Sequence, residues 1–209
     1  MSVEGSYSWP LVILSILIAT LAAYTALDLA GRICSAIGTA RVGWILTAAV
    51  AMGGGIWSMH FVAMLAYKMP MAVSYDVTLT AMSLALPILV TGIGFSLLLG
   101  GGVSWPVLLA GGLIMGVGIA TMHYLGMQAM RMPMVIHYND FLVAVSVAIA
   151  VIASTAALWL AFERTTFVRR LAAAGAMGLA ISGMHYTGMA AANFVQHPPR
   201  RCFAFDGRS

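Results

Sequence analysis

The sequence is short of charge before anything else. Asp, Glu, Lys and Arg together make up 8% of its 209 residues, where a water-soluble domain carries about a quarter. So few charges cannot clothe a water-facing surface, and a soluble globular class is excluded. Cysteine is nearly absent. Cys34 and Cys202 fall in loops expected on opposite sides of a membrane, so neither a disulfide framework nor a cysteine metal site is expected. Paired carboxylates, a Ser/His/Asp arrangement and a phosphate-binding glycine loop after a strand are also missing, and no enzyme activity is expected. The net charge of +4 comes from basic residues in short loops and the tail, without the basic and aromatic stripe that nucleic acid requires. No basic leader with a cleavage site precedes the first apolar run, which is expected to persist as a helix.

What is present in abundance is hydrophobic sequence, 62% of the chain. Six runs reach the roughly 20 residues needed to cross a bilayer: Pro10–Ala30, Val42–Ala66, Val77–Leu99, Trp105–Met130, Phe141–Phe162 and Leu171–Phe194. Gly31, Arg32 and Arg41, then Lys68-Met69-Pro70, Gly100-Gly101-Gly102, Arg131-Met132-Pro133 and Glu163-Arg164 punctuate them. Within lipid, only helices satisfy every backbone group of such runs. Asp28 with Arg32 is expected to form an i,i+4 pair, and Asp76 and Asp140 to cap helix starts. One set of loops holds Arg32, Arg41, Arg164, Arg169 and Arg170, the other Lys68 and Arg131. The positive-inside rule places the first set in the cytoplasm and the N-terminus outside. A tail at 196–209 with Arg200, Arg201 and Arg208 would then also lie outside. That is explained if a further, seventh helix follows in a longer protein.

Three segments repeat. Met52–Met64, Met115–Met127 and Met177–Met189 each place Met at −8, −1 and +4 from a central histidine, Gly at −7, Ile at −4, an aromatic at +1 and a small residue at +3. The histidines, His60, His123 and His185, are 63 and 62 positions apart. That period covers two helices, so the unit is a helix hairpin repeated three times in one orientation, about an axis along the membrane normal. The fold expected is an all-α membrane bundle of about six helices built from three parallel hairpins, with helices 2, 4 and 6 each carrying one histidine roughly 9 Å below the outer boundary.

Residues at i and i+4 share a helix face, so His60 with Met64, His123 with Met127 and His185 with Met189 each offer an imidazole beside a thioether. Gly53, Gly116 and Gly178 lie on nearly the same face and allow close packing. One intramembrane histidine can be satisfied by a neighbouring helix. Three, each with matched methionines, argue for shared chemistry. Nine of the 16 methionines occupy the repeated motif. Thioether with imidazole selects copper among the common metals, and no carboxylate repeats with the motif to serve calcium, magnesium or manganese. The candidate metal ligands are therefore His60, His123 and His185 with Met59, Met64, Met122, Met127, Met184 and Met189. Haem held by membrane histidines is the competing cofactor, and a copper transport or delivery protein the competing function. Met69, Met71, Met132, Met134 and His137 are candidates for an outer capture surface, or are loop hydrophobes at the interface.

With Met184-His185-Tyr186-Thr187 and its two sister copies near the outer ends of alternate helices, residues 7–195 resemble the MHYT domain, a bacterial membrane sensor module. The resemblance implies a bacterial inner-membrane protein that binds a metal, copper in the family's usual account, and senses oxygen, carbon monoxide or nitric oxide. It also implies a cytoplasmic output domain that handles cyclic di-GMP or another signal, and points to Met59-His60, Met122-His123 and Met184-His185 as the functional pairs. The first copy reads Met59-His60-Phe61-Val62 and the second Met122-His123-Tyr124-Leu125, so the first lacks the tyrosine hydroxyl and both lack the threonine.

Overall fold

A computed structural model describes residues 5–69, 73–97, 104–163 and 166–196. Pro70, Met71, Gly100 to Gly102, Arg164, Cys202 and the arginines of the tail lie outside these. Six helices carry the apolar runs: α1 (Trp9–Ser35), α2 (Gly38–Ala66), α3 (Val77–Leu97), α4 (Trp105–Gln128), α5 (Asp140–Phe162) and α6 (Phe167–Ala191). The first five are each long and apolar enough to cross a membrane. In α6, Arg169, Arg170, His185, Tyr186 and several glycines dilute the apolar content, yet its 25 residues pack along both α1 and α5. The helices therefore close a ring in chain order, with α1 beside α6. The chain is a multi-pass membrane bundle.

Several helix ends differ from expectation. α1 runs on through Gly31 and Arg32 to Ser35, α2 begins at Gly38, not Val42, and α6 begins at Phe167, not Leu171. Arg32 stays helical because its guanidinium reaches Asp28 one turn back at 3.4 Å and lies 5.1 Å from the Trp44 ring. Asp28 also accepts from Arg170 at 2.6 Å, which ties the ends of α1 and α6 together. Asp76 caps α3 by accepting from the Leu79 N–H at 2.9 Å. At α5 the cap is Asn139, whose side chain accepts from Leu142, and Asp140 is the first helical residue, one position from the cap expected of it.

At the other end of the bundle the chain forms short strands that the apolar runs do not announce. β1 (Ser6–Tyr7) pairs with β2 (Tyr67–Lys68), β3 (Ser74–Tyr75) with β4 (Met130–Arg131), and β5 (Met134–Tyr138) with β6 (Ala192–Gln196), all antiparallel. Each odd helix is preceded, and each even helix followed, by one strand of the same pair. The repeating unit is therefore a hairpin closed on itself, strand–helix–helix–strand, three times over. α4 and α6 end at Gln128 and Ala191 rather than Met130 and Phe194 because the last residues of those runs pair as β4 and β6.

Close packing between repeats rests on the −7 glycines. A Cβ at Gly53, Gly116 or Gly178 would collide with the backbone of Ile88 on α3, Val151 on α5 or Thr20 on α1 respectively. Each even helix thus presses its glycine against the odd helix of the following repeat, the third repeat closing onto the first. At Gly53 the partner backbone is the Pro87–Ile88 step inside α3.

Candidate metal centre

The histidines lie five or six residues before the ends of α2, α4 and α6, at Ala66, Gln128 and Ala191, and all three are at most 1% exposed. The even helices run parallel, so the three side chains enter the bundle centre at one level. Every pair of imidazole rings has its centroids 5.0 Å apart, at interplanar angles of 79 to 87°. His60 Nδ1 is 3.1 Å from His185 Nδ1 and 3.2 Å from His123 Nδ1, and one ligand atom from each residue lies within 4.8 Å of the others.

The outward edges of two of the rings are closed. A Cβ on Gly126 would strike His60 Nε2, and one on Gly188 would strike His123 Nε2. The +3 glycines of the second and third copies are thus seats for the imidazole of the preceding repeat. The three Nε2 atoms are buried with no hydrogen-bond partner among the described residues. A metal-bound imidazole ordinarily donates its second N–H to an outer partner; for His60 and His123 a steric seat fixes the ring instead.

Converging Nδ1 atoms pose a problem that neutral imidazoles cannot solve alone. Each neutral ring has one N–H and one lone pair. A proton on His60 Nδ1 can serve one neighbour, and the remaining lone pairs then face one another in an apolar interior. A cation at the centre would accept three lone pairs at once. For metal–nitrogen bonds of about 2.0–2.1 Å, tetrahedral angles set neighbouring donors about 3.3–3.4 Å apart. The observed 3.1 and 3.2 Å need only a slight spreading, so the residues fit a metal ion.

The aromatic at +1 holds each ring edge-on, with Phe61, Tyr124 and Tyr186 at 4.9 to 5.0 Å from His60, His123 and His185. Each also packs on a cap tyrosine from the next repeat: Phe61 on Tyr75, Tyr124 on Tyr138, Tyr186 on Tyr7. Beneath them, Ser146 meets the Tyr124 hydroxyl at 2.6 Å and Ser15 the Tyr186 hydroxyl at 3.1 Å. The first copy, with Phe61, has no hydroxyl to offer. Its equivalent, Ser83, accepts instead from the Trp57 indole N–H at 3.1 Å. All three serines are fully buried. Ser15, Ser83, Ser146 and Trp57 were not among the residues singled out from sequence. The serines recur at 68 and 63 positions, close to the histidine period, and aligning the odd helices would have revealed them.

The methionines divide. Met59, Met122 and Met184 are at most 1% exposed and belong to the main core. Met64, Met127 and Met189 belong to a second cluster under the strands, with Met130, Met134 and Phe194. Met69 and Met132 pack against that second cluster. His137 sits on an exposed position of β5, apart from the imidazole triangle. Outside the membrane-spanning segments, the Asp76 carboxyl is held below the ordinary carboxylate range by the Leu79 N–H first and then by Arg131, with which it pairs.

Comparison with known proteins agrees with the repeat. A family model described as a bacterial signalling protein N-terminal repeat matches residues 53–111, 116–174 and 178–201, with His60, His123 and His185 falling one to each range. Over 195 residues the chain is 48% identical to the bifunctional diguanylate cyclase/cyclic di-GMP phosphodiesterase MucR of Pseudomonas aeruginosa, covering 91% of this chain and 28% of that protein. It is 40% identical over 200 residues to the cyclic di-GMP phosphodiesterase NbdA of the same organism, covering 89% and 24%. It is 37% identical over 204 residues to the signalling protein YkoW of Bacillus subtilis, covering 93% and 25%. The chain spans about a quarter of the length of these curated relatives. No solved structure matches it.

Proposed function

Because the chain belongs to the MHYT family, whose repeat it carries three times, we propose that its His60–His123–His185 triangle binds one copper ion and makes the bundle a sensory input domain. The observation that carries this reading is the convergence of His60 Nδ1 on His185 Nδ1 and His123 Nδ1 at 3.1 and 3.2 Å in a fully buried site. The site's charge favours copper in its cuprous form. No described carboxylate joins the triangle, and a buried charge without a counter-ion grows more costly as it increases. Neutral nitrogen donors with the thioethers of Met59, Met64, Met122, Met127, Met184 and Met189 nearby suit a soft monovalent ion.

His60, His123 and His185 would hold a cuprous ion, which would supply binding of a small neutral ligand such as O2, CO or NO. A cavity of about 20 Å³ is lined by Ile56, Ile119 and Ile181, one turn before the histidines, and by Met184 and Ala150. One water needs about 10–15 Å³ and several polar partners, so this apolar space suits a two-atom molecule better. Haem fits less well, since a porphyrin between two axial nitrogens needs a slot that a third imidazole, 5.0 Å from each of the others, fills.

Signalling requires two arrangements that the ligand binds unequally. The +1 aromatics, the serines and the −7 glycines tie each histidine helix to the next repeat, so altered coordination would move repeats against one another. In this reading the strand end faces outward in a bacterial inner membrane, the N-terminus with it. The output, cyclic di-GMP turnover in relatives named for it, resides in a separate cytoplasmic domain. Elemental analysis and optical spectra of purified protein test the proposal. Stoichiometric copper lost in His185→Ala supports it, whereas a stoichiometric Soret band or a metal-free protein refutes it. Copper flux in proteoliposomes would favour transport instead.

A further inference from the structure

Seven of the 16 methionines gather in the cluster beneath the strands. Met64, Met127 and Met189 rise one turn beyond the histidines on the same helix faces. Met130 from β4 and Met134 from the start of β5 are buried beside them, and Met69 and Met132 pack around the edge. The other members are aliphatic or aromatic, with no carboxylate, imidazole or thiol among them.

Packing alone does not call for this composition. Strand positions favour β-branched and aromatic side chains, yet Met130 and Met134 occupy them. Ordering a methionine costs more rotamer freedom than ordering Leu or Ile, so a purely apolar cap would be better built from those. Beside the phenol hydroxyls of Tyr67 and Tyr75, of which Tyr67's is taken by the Gly5 N–H, the side-chain donors of the cluster are thioethers, which favour cuprous or silver ions over hard or borderline metals. Helical side chains lean toward the helix N-terminus, and in the even helices that direction is from the cap toward the histidine level. Met64, Met127 and Met189 therefore lean toward the histidine level, one turn or about 6 Å away along the helix. On the far side of the triangle Ile56, Ile119 and Ile181, at most 7% exposed, line the small apolar cavity and offer no donor.

We propose that the methionine cluster under the strands is a second, thioether-only site for a cuprous or silver ion, from which the imidazole triangle beneath it is loaded. This rests on the reading of the triangle as a copper site, but it is tested separately from it. The purified full chain is titrated with cuprous ion without oxygen, and X-ray absorption is recorded at one and two equivalents. Two bound ions are expected, one with an imidazole shell and one with a sulfur-only shell. Leucine conserves methionine volume, so Met130→Leu/Met132→Leu/Met134→Leu should fold, keep the imidazole-bound ion and weaken the second equivalent by about tenfold or more. Met64→Leu/Met127→Leu/Met189→Leu should remove the sulfur shell. A single ion with imidazole ligation and no sulfur shell at two equivalents would overturn this proposal and leave the triangle standing. One ion sharing nitrogen and sulfur would overturn it as well. A sulfur shell without imidazole ligation would leave the thioether site standing but refute the copper triangle and its loading from that site.

Discussion

Trp57 donates its indole N–H to Ser83 Oγ at 3.1 Å, at the position where the other two repeats use a tyrosine hydroxyl. The pseudo-symmetric frame is kept while the residue that fills it moves, from +1 in the second and third copies to −3 in the first. The missing hydroxyl of Phe61 is therefore not a lost function but a relocated donor.

This exchange predicts a sign change. Phe61→Tyr alone would bring a second hydroxyl to a serine already engaged by Trp57, and should lower the melting temperature. In a Trp57→Ala background, which copies the Ala120/Tyr124 pairing, the same Phe61→Tyr should recover about 1 kcal/mol, the net worth of one hydrogen bond. Thermal melts of the four proteins in detergent measure it. An equal effect in both backgrounds would show that Ser83 does not select its partner.

The +3 seats predict loss of metal affinity without loss of a ligand. Gly126→Ala and Gly188→Ala would push a Cβ into His60 Nε2 and His123 Nε2 and turn the rings away. Metal binding should weaken by about 10–100-fold, as for other residues that orient ligands. Competition titration against a chromophoric chelator reads the change, and unchanged affinity in both variants would show that the seats do not set ring orientation.

Glycines of the same helices should separate into two kinds. Gly116→Ala would drive a methyl into the Val151 backbone and cost about 1–3 kcal/mol through overpacking. Gly54→Ala and Gly183→Ala, with nothing within 4 Å of the added carbon, should be neutral or stabilising by up to about 1 kcal/mol. Melting temperatures that fail to separate the two groups would contradict the packing described.

Asp76 predicts an acid-sensitive cap. Its folded pKa is lowered, so its contribution is complete above the unfolded value of about 3.9 and is lost as pH falls through the lower folded value. Thermal stability should drop on acidification through that window. Asp76→Asn, which keeps the cap acceptor but removes the charge facing Arg131, should flatten that part of the profile. An identical profile in the variant would assign the acid sensitivity to other groups.

Much of this was legible in the sequence. Apolar runs too long for a soluble core gave the helices, and the 63- and 62-residue spacing of His60, His123 and His185 placed them on parallel helices at one depth. The strands escaped because β1 to β4 are two residues each, too short to show a period, and because Met130 and Phe194 extend apolar runs that read as helix. Gly31 and Arg32 read as a loop, since an arginine at a helix end gives no sign of the Asp28 and Trp44 contacts that keep it helical. Nothing in the spacing of one chain specifies that His60 faces Gly126, because that contact joins different repeats and depends on how the ring closes.

The central claim is that three imidazoles hold one metal through Nδ1. Pulsed electron paramagnetic resonance of the protein after oxidation of bound copper to the cupric state counts coordinated imidazoles through their remote nitrogens. Three equivalent imidazoles are predicted in the wild-type chain and no more than two in His185→Ala. Bound copper without imidazole coupling, or the same imidazole count in both proteins, would contradict it.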